Sequence, residues 1–153
     1  MKTALLLAVA VLLQASAPER KPAMKTAQGE FDVKLAPLET SHKVDPERMG
    51  RLAGDKVYRG DLEGTGIVEL LFGGDPKTGS AAIVGIEKVT GKLHGRAGTF
   101  LLHHRGVMER GKQTYSIGIV PDSGTGELAG ISGTISIRIE GKKHFYALEY
   151  AFP

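Results

Sequence analysis

The amino-acid sequence predicts an all-β protein, a single antiparallel β-barrel of about eight strands. Three observations predict it. Apolar and polar residues alternate over run after run, the period-two pattern of half-buried strands. Turn residues, chiefly glycine, punctuate these runs at a spacing of roughly ten residues. No stretch after Met24 sustains the 3.6-residue period of a helix. The chain holds 21 glycines, about twice the usual ~7% share and without a collagen-type repeat. Glycines inside strands relieve crowding where a sheet coils sharply, so a closed barrel is expected rather than a sandwich.

The first segment is an address rather than a strand. Lys2 precedes the apolar run Ala4–Leu13, and Ala15-Ser16-Ala17 supplies an A-x-A cleavage site. Such a run is too short for a membrane core that needs roughly 20 apolar residues. Met1–Ala17 is therefore expected to be a secretory signal and residues 18–23 a linker, which places the product in the periplasm or outside the cell. Met24-Lys25-Thr26-Ala27 repeats Met1-Lys2-Thr3-Ala4. Translation from Met24 would give a cytoplasmic protein instead. The barrel domain is expected over residues 24–153.

Strand by strand, Phe31, Val33 and Leu35 alternate with Glu30, Asp32 and Lys34. Less regular apolar runs follow at Lys56–Leu62, Ile67–Phe72, Ala81–Val89 and Thr99–Met108. Tyr115, Ile117 and Ile119 then share a face, as do Ile131, Gly133, Ile135, Ile137 and Ile139. Tyr146, Leu148, Tyr150 and Phe152 close the set. Turns are expected at Gly73–Pro76, Thr90-Gly91, Arg110-Gly111 and Gly141-Lys142.

Composition removes several function classes. The net charge of +3 comes from 20 basic and 17 acidic residues scattered along the chain, so nucleic-acid binding is not expected. The chain lacks cysteine, which excludes disulfides, thiolate chemistry and Cys-ligated metals. Gly124-Thr125-Gly126-Glu127-Leu128-Ala129 fits a dinucleotide-binding turn, but such a turn must open a helix. Here the chain runs into a period-two strand. Pro121–Gly124 is read as a turn, and Gly126, Gly130 and Gly133 as bends within that strand.

"VPDSGTGELAGISGTISI" (Val120–Ile137), with "GDLEG" (Gly60–Gly64), "IEKVTGKLHGRAGTF" (Ile86–Phe100), "LLHHRGVM" (Leu101–Met108) and "KHFYALEYAFP" (Lys143–Pro153), resembles the bacterial domain-of-unknown-function family numbered 3224. The resemblance covers Met24–Pro153. It implies a barrel like that of allene oxide cyclases, relatives that hold a small reactive molecule in an apolar interior. Fold likeness alone does not transmit that chemistry. The resemblance also matches Glu87 to an Ile-Glu-x-Val pattern, and His104 to Gln-His-x-Gly with His103 in place of the glutamine.

Candidate chemistry rests on few side chains. His103 and His104 are neighbours on a strand and must face opposite ways, so they cannot chelate one ion together. His42, His94 and His144 show no metal-ligand spacing, and no metal or cofactor is expected. His104 shares a face with Phe100, Leu102 and Met108, where a histidine is ordinarily a satisfied core residue. Glu87 lies on an apolar strand and would ordinarily pair with Lys or Arg. Facing one cavity, the two could instead act as acid and base. Tyr146 and Tyr150 share an inner face, where buried hydroxyls need partners. Asp61 and Glu63 share a face in a turn segment and are expected to be solvated.

Three functions are then open: an exported barrel binding a small apolar molecule, a cofactor-free isomerase or cyclase using Glu87 and His104, and a structural barrel filled by its own side chains. Under the first, Tyr146, Tyr150, Phe100 and Leu102 would line the site. Stable membrane insertion is not expected, and self-association is left open.

Overall fold

The structure, a computed structural model, describes residues 22–40, 48–75 and 77–153. The expected signal Met1–Ala17, most of the linker, His42 and Pro76 lie outside them. Eight antiparallel strands close into one barrel, each paired with its neighbours in sequence and β8 returning to β1. They are β1 (Lys25–Leu38), β2 (Met49–Gly60), β3 (Leu62–Asp75), β4 (Ser80–Leu93), β5 (Arg96–Glu109), β6 (Lys112–Ile119), β7 (Ser132–Glu140) and β8 (Lys143–Ala151).

Period two dictates which side chains enter the barrel. On β4 the odd positions from Ile83 to Leu93 turn inward, and on β5 Phe100, Leu102 and His104 do the same. His103 accordingly faces out over Gly118 of the neighbouring strand. The outer wall is largely polar, although Ile67, Leu71, Val84 and Ile86 lie exposed beside one another on β3 and β4.

Three boundaries differ from the sequence reading. Gly73–Asp75, expected in a turn, end β3 and pair with Ala82, Ala81 and Ser80 of β4. Thr90-Gly91 is no turn but lies within β4, paired on both sides with Thr65-Gly64 and Thr99-Gly98. The reversal comes at His94-Gly95, which like Arg110-Gly111 takes positive φ at both residues, the two-residue hairpin turn that matches strand twist. The run Lys56–Leu62 likewise spans a reversal at Asp61 and so belongs to two strands.

The Gly-rich stretch also departs from expectation. β7 begins only at Ser132, and Gly126–Leu128 forms one 3₁₀ turn before it. Gly126 and Gly130 therefore sit in a loop, not in the strand. The loop folds under one end of the barrel and drives Leu128 and Ile131 into the interior. Thr125 ties it to β5, its N–H donating to Thr99 O at 2.8 Å and its hydroxyl accepting from Thr99 N at 3.1 Å. Glu127 accepts from Ala97 N at 2.9 Å.

This plug divides the interior. At the plugged end Leu62, Val89, Leu93, Phe100, Leu102, Leu128, Ile131 and Leu148 pack together with almost no exposure. Each such side chain contributes about 1.5–3 kcal/mol relative to an exposed one. Toward the other end the filling stops. A cavity of about 430 Å³ remains, walled by residues that include Val33, Leu70, Ile83, Ile117 and Ile137. At its mouth stand Leu35, Tyr115 and Ile139, all substantially exposed.

Candidate functional site

The floor of the cavity is polar. Glu87, on β4, is fully enclosed, and three side chains converge on its carboxylate. Lys56 Nζ donates to Oε2 at 2.6 Å, Tyr58 OH donates to Oε1 at 2.6 Å, and His104 Nε2 lies 2.9 Å from Oε2. Lys56 and Glu87 are the buried charged groups among the described residues. Their opposite charges and saturated hydrogen bonds are what make such burial tolerable.

The register explains how these groups meet. Lys56 and Tyr58 sit on β2, two strands from Glu87, with β3 between. Gly66 of β3 stands opposite Lys56, and a Cβ there would meet Glu87 Oε1 at 2.2 Å. The missing side chain on β3 is the opening across which the ion pair closes. On the other flank, β5 pairs directly with β4 and brings His104 alongside. Phe31 of β1 faces Tyr58, with ring centroids 5.4 Å apart, and the Lys56 ammonium lies 4.9 Å from the Phe31 ring centroid.

Burial pushes the Glu87 carboxyl up. The hydrogen bond from His104, the charge and hydrogen bond of Lys56 and the hydrogen bond of Tyr58 more than reverse this, leaving it below its ordinary value. Glu87 is thus a carboxylate, which only accepts. His104 Nε2 must then carry a hydrogen, and in the neutral ring Nδ1 is left as an acceptor. Tyr58 is held firmly protonated by burial and by the adjacent Glu87 charge.

Among these groups Lys56 and His104 line the cavity, together with His144 and Gln113. Glu87 itself does not. Whatever enters the barrel meets an ammonium and an imidazole whose orientation is fixed by a carboxylate behind them.

The structure thus brings Glu87 and His104 together. It places the other anticipated residues elsewhere. Phe100 and Leu102 are fully buried in the plugged half and do not line the cavity. Tyr146 accepts from Leu62 N at 2.9 Å and reaches Arg59 O at 3.3 Å, pinning the β2–β3 turn. Burial raises its pKa, opposed by the Leu62 bond and aided by Asp61. Tyr150 OH lies 2.7 Å from His94 Nδ1 at the β4–β5 turn. Asp61 accepts from Gln28 N at 2.8 Å and does not pair with Glu63. Among the described residues no group of three or more His, Asp or Glu is gathered as for a metal ion.

Lys56 and Tyr58 escaped the sequence reading. Their shared parity was visible in "KVY", but Val57, of opposite parity, competes for the inside. It is in fact on the outer wall.

The family model for a protein of unknown function, DUF3224, matches residues 27–150. The chain belongs to the DUF3224 family. A crystal structure at 1.84 Å of a DUF3224 protein with unknown function from Shewanella oneidensis MR-1 is similar to it, with 40% sequence identity and a TM-score of 0.79. The match covers 86% of this chain and 99% of that one. No curated protein matches this DUF3224 chain.

Proposed function

We propose that this DUF3224 protein binds a small, largely apolar molecule in the open half of its barrel. The observation that carries the reading is the cavity of about 430 Å³, with aliphatic walls and polar groups confined to its floor and rim. That is the composition of small-molecule sites, where apolar area supplies affinity and a few polar groups fix orientation. A ligand carrying one polar end would place it against Lys56 and His104. The amino-terminal Met1–Ala17 supports export, so the ligand would be met outside the cytoplasm. An intact mass beginning at Pro18 rather than Met24 checks that part.

The test is native mass spectrometry of the protein from its own host, beside Ile137→Trp. Ile137 lines the cavity, and an indole there occupies vacant space. A reproducible extra mass in the native chain, lost on denaturation and absent from the variant, is the expected result. A bare native mass, with no apolar probe taken up, rejects the reading in favour of a purely structural barrel.

One observation favours a second reading, a cofactor-free isomerase or cyclase. The 2.9 Å contact of Glu87 with His104 is the arrangement that orients a general base. His104 would move the proton, and Glu87, enclosed behind it, would position the ring. Turnover of a bound molecule that disappears in His104→Gln, with binding retained, would establish it.

A further inference from the structure

We propose that Lys56 is a covalent capture point, its amine condensing with an apolar aldehyde that enters the cavity to give a protonated imine held against Glu87. This rests on the binding role of the cavity. It adds a reaction and a ligand class to that role.

Three features of the site carry it. Lys56 is the buried lysine of the described residues, and it lines a cavity whose other walls are mostly apolar. Amines placed in apolar pockets are the ones that form Schiff bases, because water that would hydrolyse the product is excluded. Second, a proton acceptor touches the nitrogen, Glu87 Oε2 at 2.6 Å. Third, the same oxygen accepts from His104 Nε2 at 2.9 Å, which holds the carboxylate in place beside the nitrogen.

The chemistry balances without any added reagent. The ammonium passes one proton to Glu87, and the free amine attacks the aldehyde carbon, forming the C–N bond. The nitrogen's second proton moves to the former carbonyl oxygen, giving a carbinolamine. The proton held by Glu87 is then delivered to that hydroxyl, and the C–O bond breaks to release water. The nitrogen keeps its last hydrogen and its positive charge. Lysine ammonium and aldehyde have become iminium and water, and the ion pair with Glu87 is intact at the end as at the start. No buried charge is orphaned along the way, which would otherwise oppose reaction at this depth.

The full chain is incubated with nonanal and sodium cyanoborohydride, and alkylated lysines are mapped by peptide mass spectrometry. Nonan-1-ol, equally long but unable to condense, is titrated separately by calorimetry. Alkylation is expected to favour Lys56 over the exposed Lys88 and Lys92 by at least about ten-fold, as a chain held in the cavity beside the amine requires. It is expected to fall when nonanol is in excess. Lys56→Arg, which keeps the positive charge beside Glu87, is expected to lose the adduct at this position. Nonanol binding with Lys56 no more alkylated than Lys88 and Lys92 overturns the capture and leaves the binding role standing. Absence of nonanol binding together with absence of a Lys56 adduct overturns both.

Discussion

Glu87 shows what a single buried charge demands of its surroundings. Its carboxylate is served by Lys56, His104 and Tyr58, and Gly66 supplies the space. Breaking a buried pair by removing one partner costs about 3–5 kcal/mol, because the survivor is stranded. Glu87→Gln is expected to fall in that range by urea unfolding. The double change Lys56→Met with Glu87→Gln should cost less than the sum of the singles, a coupling the cycle measures directly. The pH dependence has a fixed sign. Because the folded-state pKa of Glu87 lies below its ordinary value of 4.5, its contribution to stability is complete above that value. It drains away as pH falls through the lowered folded value. Unfolding midpoints measured from pH 6 downward should therefore drop more steeply in the native chain than in Glu87→Gln. The imidazole was legible in the sequence because period two set it among apolar neighbours, and the carboxylate because it stood on an apolar strand. Their meeting was not, since adjacency of strands in space is not written in either one. Lys56 was harder still, because it reaches Glu87 over an intervening strand.

Among the elements, the loop between β6 and β7 does most to define the barrel's inside. Leu128 enters the core from this loop and is fully buried. Leu128→Ala should cost about 2–5 kcal/mol, the range for deleting an enclosed leucine, read as a loss in unfolding free energy. The two strands this loop joins diverge toward their opposite end. β6 and β7 pair only where Ile117 faces Ile135 and Gly118 faces Thr134, while β4 and β5 pair along their whole length. Amides of Lys112–Ser116 that point toward β7 are therefore expected to exchange with solvent faster than the amides of Lys88–Leu93, by hydrogen-exchange NMR. The strands themselves could be read from alternation. Their ends could not, because Thr90-Gly91 carries turn chemistry inside β4, where pairing on both sides overrides it.

At the scale of the whole molecule, closure of the sheet was foreseeable from glycines within strands, and the family from several separated motifs. The unequal filling of the two halves was not, since strand parity tells in from out but carries no depth coordinate along the barrel axis. Phe100 and His104 share a face on one strand, yet the first is core at the plugged end and the second lines the cavity. Ile137→Trp is a prediction of this depth: entering space already vacant, the indole should leave the unfolding midpoint close to that of the native chain. A midpoint lowered by the 1–3 kcal/mol typical of overpacking, roughly, would mean that the space is already taken.

On the proposed binding role, the plug would separate the task of folding from the task of recognition. Cohesion is concentrated beneath the ion pair, whereas Ile83, Gln113 and Ile139 line the open half. If the open half takes a guest as proposed, the rim could be altered for another guest while the foundation is kept. For an engineer the same division marks where to randomise and where to leave alone.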